Sequence, residues 1–116
     1  MITEDSSFPA TQHFASVFTF TDEFYQTEKF SREKTRVLLR LDMSKLPQTP
    51  NVRITNGDFP LAWAKMYGKG RVFYSTLGHT NESWNDPDIQ KMYFEAVKWV
   101  LGLTEGSTNP HSKPVK

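Results

Sequence analysis

Residues 58–84 read D-F-P-L-A-W-A-K-M-Y-G-K-G-R-V-F-Y-S-T-L-G-H-T-N-E-S-W, a pattern of strand, tight turn, strand and polar loop. Leu61, Trp63 and Lys65 point one way along the first strand, and Ala62, Ala64 and Met66 the other. Val72 and Tyr74 alternate with Phe73 and Ser75 on the second. Aromatic and β-branched side chains of this kind fit a pleated, half-buried surface. Between the strands stands Tyr67-Gly68-Lys69-Gly70, whose glycines allow the positive φ a hairpin turn needs. The expected hairpin pairs residues 61–66 with 71–76. The second strand runs out into Leu77-Gly78-His79-Thr80, which puts an imidazole at a strand's carboxyl end. In an open α/β sheet that edge is where ligands bind.

Working outward, Asp86-Pro87 reads as an N-cap followed by proline at the first helical position, with Asp88 in the first turn complementing the helix dipole. Ile89, Met92, Tyr93, Ala96, Val97 and Val100 recur at three- and four-residue steps, which predicts a helix over 87–101 with that stripe buried. Trp99 is expected to pack. Gly102 is the expected C′ residue. Upstream, T-R-V-L-L-R-L-D (Thr35 to Asp42) reads as a central strand, and F-A-S-V-F-T-F-T (Phe14 to Thr21) as another by its alternation. Gln26 to Lys34 reads as a loop or short turn. Met43 to Gly57, holding Pro47 and Pro50, reads as a mobile lid or a surface excursion. Residues 1–7 and 104–116 are polar and expected to be disordered, leaving 8–103 as the folded part.

The bulk numbers narrow the classes. A chain of 116 residues forms one domain at most and buries about two-thirds of its unfolded surface. Aromatic residues make up 14% and give a core large areas per side chain. Net charge is +1 with both signs scattered, so no basic stripe points to nucleic acid. No apolar run approaches the roughly 20 residues of a membrane helix. Cysteine is absent, which excludes disulfides, thiolate metal sites and a cysteine nucleophile in this chain. M-I-T-E-D-S-S lacks the basic and apolar regions of a signal peptide, and the compartment stays open between cytoplasm and export.

The same residues carry a resemblance. F-P-L-A-W-A-K-M-Y-G-K-G-R-V-F-Y-S-T-L-G-H-T resembles the C-terminal signature of the ThuA-like (trehalose utilisation) family, within the class I glutamine amidotransferase-like superfamily. T-D-E-F-Y (Thr21 to Tyr25) and the terminal E-A-V-K-W-V-L-G agree with it. The resemblance spans Phe8 to Gly102 and covers the second half of a family domain. The first half, with its opening parallel strands and the superfamily's nucleophile region, is expected to be missing. The implied fold is α/β: the C-terminal part of a flavodoxin-like, amidotransferase-like domain, with an antiparallel hairpin and a terminal helix. The implied function is bacterial trehalose or disaccharide metabolism, with keto-sugars among the substrates. The competing readings are a non-catalytic carbohydrate-binding or interaction module and an inactive gene fragment.

The resemblance puts His79 where the superfamily keeps the histidine that pairs with its nucleophile, and it favours Asp22 and Glu23 as acid–base or sugar-hydroxyl acceptors. The plain alternatives are a loop-capping histidine and an ordinary acidic turn. Adjacent residues of a strand face opposite ways, so only one of the two acids is expected in a shared site. Tyr25, Trp63, Thr80 and Trp84 are the candidate sugar contacts, with packing the stronger alternative for Tyr25 and Trp63. His13, His79 and His111 have no metal-ligand spacing, so no metal and no cofactor is expected. Gly68 and Gly70 belong to a hairpin and make no phosphate loop. Asn81-Glu82-Ser83 matches the glycosylation sequon only weakly. Many relatives carry histidine where Phe8 and Phe59 precede proline here, so these two positions are expected to be structural. The expected partners are a small carbohydrate and either a second copy or the missing half of the domain, not nucleic acid or membrane.

Overall fold

The computed structural model describes residues 1–111. Four strands form one antiparallel sheet in the order β1-β2-β3-β4: β1 Ile2–Thr3, β2 Arg36–Arg40, β3 Pro60–Tyr67 and β4 Gly70–Ser75. Two helices follow, α1 Asn81–Asn85 and α2 Pro87–Val100. The fold is a mixed α/β domain with an antiparallel sheet and a C-terminal helix, and every strand pair among the described residues is antiparallel.

The hairpin forms as expected. Ala62 pairs with Ser75, Trp63 with Tyr74 and Ala64 with Phe73, and a two-residue turn at Gly68-Lys69 closes it with Gly68 at φ 58°. Only glycine holds that left-handed backbone without cost. β2 lies inside the sheet as expected, but its burial is not one-faced. Val37, Leu38 and Leu39 are all fully buried: Leu38 and Leu39 both join the main core where the register is irregular between Val37 and Arg40, while Val37 pairs with Trp63 outside that cluster.

Phe14 to Thr21 is not a strand. Its backbone pairs with the N-terminus only around Val17, since β1 is two residues long and offers no further partner. The alternation instead docks Phe14, Phe18 and Phe20 on the core, with Phe14 and Phe18 stacked at 4.7 Å. Thr80 to Asn85, expected as a loop, is the short helix α1, because the Thr80 side chain accepts the Ser83 N–H and caps it. Gln26 to Lys34 is irregular except for a 3₁₀ turn at Arg32–Lys34. Met43 to Gly57 is a surface excursion tied down by Gln26, which donates to Asn51 O at 2.7 Å and accepts from Arg53 N–H at 2.7 Å.

α2 starts as read, with Asp86 Oδ1 accepting the Asp88 and Ile89 N–H groups and Pro87 in the first turn. It ends in a Schellman motif: Gly102 N–H reaches Trp99 O, Leu103 N–H reaches Lys98 O, and Gly102 sits at φ 77°. The buried stripe differs from the expected one. Ile89, Met92, Ala96 and Trp99 are buried and Tyr93 is half-buried, while Val97 is 57% and Val100 43% exposed. The helix is rotated so that Trp99, whose ring buries far more area than a valine, packs against Phe8; their ring centroids are 5.0 Å apart. Phe8 and Phe59 are buried core residues.

Both termini depart from the expectation of disorder. Glu4 and Asp5 are buried in an ion-pair network. Arg32 reaches Glu4 at 2.6 Å and Asp58 at 2.5 Å, Arg40 reaches Glu4 at 2.7 Å, and Arg36 reaches Asp5 at 2.6 Å. At the other end, Arg71 donates to Trp99 O and Thr104 O, Trp99 Nε1 donates to Gly106 O, and Arg36 donates to Asn109 O. Gly106 lies so close to Phe8 that a Cβ would stand 2.8 Å from the ring. The rest of the expected tail, 112–116, lies outside the described residues.

Candidate functional site

The site grows from the carboxyl end of β4. Gly78, at φ 111°, turns the chain out of the strand, and the Trp84 indole packs against it so closely that a Cβ would lie 2.9 Å from the ring. His79 follows. Asp22 anchors this turn by accepting Gly78 N–H at 2.7 Å and His79 N–H at 3.2 Å. Burial opposes ionisation of the Asp22 carboxyl. The Gly78 N–H, the Ser83 hydroxyl and the Glu23 and His79 N–H groups outweigh it and hold the carboxyl below the usual carboxylate range.

The His79 ring is bracketed. Its Nε2 lies 3.0 Å from Glu23 Oε2, and its Nδ1 lies 2.9 Å from the Tyr25 hydroxyl. The Tyr25 ring meets the imidazole edge-on at 6.0 Å, and Tyr25 N–H reaches Thr76 Oγ1 at 3.4 Å. Both acids therefore come to His79, Glu23 through its side chain and Asp22 through the backbone. The expectation that only one would do so assumed a strand, and Asp22 to Tyr25 is irregular chain free to turn both carboxylates the same way.

The remaining candidates divide. Thr80 is the cap of α1. Trp84 is 48% exposed, stacks on Tyr93 at 4.9 Å and buttresses Gly78. Trp63 stacks on Tyr74 at 4.1 Å and tilts on Phe30 at 5.0 Å, away from the bracketed histidine, and lines a separate concavity with Lys34 and Lys65. Sequence reasoning missed Ser83, Tyr93 and Gln26. Tyr93, whose hydroxyl donates to Leu77 O, fixes the strand end from α2; burial raises its phenol above the ordinary value. Ser83 lies in α1, where its N–H meets the Thr80 cap and its hydroxyl the Asp22 carboxyl.

An open cleft of about 370 Å³ adjoins the cluster, lined by Phe24, Tyr25, Gln26, Thr27, Arg53 and Ile54 among others. It continues past Thr27, Arg53 and Ile54 into a second concavity of about 310 Å³ that includes Lys29 and Thr55. Among the described residues no group of three histidine, cysteine or acidic side chains is placed to hold a metal ion, and no helix is long and apolar enough to cross a membrane.

The chain is thus a mixed α/β domain in which a carboxylate, an imidazole and a phenol stand together just past the end of β4. The chain is a member of the ThuA family, described as trehalose utilisation, whose profile matches residues 1–100. That membership suggests a function related to trehalose utilisation. Neither a curated protein nor a solved structure gives a significant match.

Proposed function

We propose that the protein acts on trehalose or a related disaccharide, keto-sugars included, by proton transfer at a site built from His79, Glu23 and Tyr25. The observation that carries this reading is the bracketed imidazole, 3.0 Å from a carboxylate and 2.9 Å from a phenol beside an open cleft. Imidazole side chains exchange protons near neutral pH, and proton transfer at carbon or oxygen of a polyol needs such a group. Asp22 positions the histidine and is not itself the acid or base. The resemblance to the amidotransferase-like superfamily would put His79 where that superfamily keeps the histidine serving a cysteine nucleophile; the partners of His79 here, Glu23 and Tyr25, suit proton transfer without one.

Turnover and binding of trehalose and of 3-keto-glucosides by the full chain test the reading. His79→Ala is expected to cut turnover by about 10²-fold or more. Unchanged turnover in that variant, or none in the native protein, removes the enzymatic reading. A sugar-binding module without turnover is the second reading, favoured by the half-exposed His79 ring and the aromatic, hydroxyl-bearing cleft beside it. Association with a second copy, or with further parts of a family domain, accords with the outer edge of β4 and with the exposed Phe94, Val97 and Leu101 on α2.

A further inference from the structure

We propose that the Tyr25 hydroxyl, rather than the His79 ring, is the group that exchanges a proton with the substrate, with His79 and Glu23 acting through it. The inference rests on the acid–base reading of this site. Its first ground is that both ring nitrogens of His79 already have protein partners, Glu23 at Nε2 and Tyr25 at Nδ1, so neither faces a substrate directly.

The second ground is hydrogen-bond logic. An ionised carboxylate only accepts, so the ring proton belongs on Nε2, toward Glu23. A neutral imidazole with its proton on Nε2 has its lone pair on Nδ1, and the Tyr25 O–H is then the donor across 2.9 Å. The phenol's proton points into the ring, and its oxygen keeps lone pairs for a second partner. The third ground is position. Tyr25 is 47% exposed and lines the 370 Å³ cleft, whereas His79 does not. The cleft is lined by Phe24, by the polar Gln26 and Thr27 and by one charge of each sign, Glu28 and Arg53, a mixture of an apolar surface and hydrogen-bonding groups that suits a polyhydroxylated ligand.

The step balances without an outside reagent. A substrate O–H, or a C–H beside a carbonyl, gives its proton to Tyr25 Oη as the phenolic proton passes to His79 Nδ1. The electron pair stays on the substrate as alkoxide or enolate. The imidazolium that results is held by Glu23, whose carboxylate opposes its charge. In reverse, Nδ1 returns its proton to Tyr25, and Tyr25 protonates the oxygen or carbon that ends the step. Glu23 is thus a positioning residue and Tyr25 the catalytic one.

Tyr25→Phe keeps the ring and its edge contact with His79 and removes only the hydroxyl. With trehalose or a 3-keto-glucoside as substrate, kcat is expected to fall by about 10²–10⁴-fold with KM little changed. The Tyr25→Phe/His79→Ala double variant is expected to be no slower than the slower single one, because the residues act as a unit. Nitrogen NMR of the native chain at mildly alkaline pH is expected to find the His79 proton on Nε2. Tyr25→Phe within about threefold of native kcat, with His79→Ala inactive, overturns the inference and leaves the acid–base reading standing. A proton on Nδ1 overturns it whatever the turnover. A native chain that turns over neither sugar removes that reading and the inference with it.

Discussion

Replacing Arg32 with methionine tests the buried charge network that ties the N-terminus to the sheet. The Arg32 side chain is 8% exposed and forks between two acids, Glu4, whose side chain is wholly buried, and Asp58, at 12%. Four hydrogen bonds of 2.5–2.9 Å join it to them. Arg32→Met removes the cation and fills most of its volume, so the loss is electrostatic rather than a cavity. Removing one partner of a buried pair costs about 3–5 kcal/mol, because the remaining charge is left without compensation. Glu4 keeps Arg40 at 2.7 Å, which puts the expected loss at the lower end, about 3 kcal/mol. Against a total stability of about 5–15 kcal/mol that is a large share. Urea unfolding reads it directly as a lower midpoint with an unchanged slope. Adding Asp58→Asn is expected to restore part of the loss, since it withdraws the charge that Arg32 leaves stranded, whereas Glu4 still has Arg40. A loss below about 1 kcal/mol would mean that water reaches these carboxylates and that the network is a surface one.

On α2, Met92→Ala is expected to cost about 2–5 kcal/mol, since Met92 is fully buried, whereas Val97→Ala should stay within about 0.5 kcal/mol. Equal effects in thermal unfolding would place the buried stripe elsewhere. For acid stability, Asp22 and Asp5 both have carboxyls held below the usual range, Asp5 against its burial by Arg36 and Ser7. A lowered folded-state value gives stability that is present above the unfolded-state value, about 4, and is lost as pH falls through the folded one. The native chain's advantage over Asp22→Asn in urea midpoint is therefore expected to shrink on acidification below about pH 4. A constant gap down to the acid transition would refute the assignment.

The parts of this fold that could be read from sequence are those set by neighbours in the chain. Gly68 and Gly70 between alternating strands, and Asp86-Pro87 before an apolar stripe, carry their geometry within a few residues. The stripe itself was ambiguous, because Val97 and Trp99 both fit a helical period and only tertiary space decides which turns inward. Phe14 to Thr21 alternates like a strand yet has almost no strand to pair with. The Arg32–Glu4 and Arg32–Asp58 pairs join residues 28 and 26 apart, and no local pattern announces them. In the site, His79 stood out by its place after Gly78. That Asp22 would hold its backbone and Glu23 its ring depended on how an irregular segment crosses the strand end, over separations of 56 and 57 residues.

Among the described residues β4 is the last strand of the sheet, hydrogen-bonded to β3 on one side only, and His79 hangs from its end. The accuracy of the imidazole's aim thus depends on a strand with half the usual lateral support, stiffened by Asp22, Tyr93 and the Trp84 ring at its tip. Anything that pairs with the outer edge of β4 would stiffen the mount of His79 without touching it. Occupancy of that edge and sharpness of the site are, mechanically, one variable.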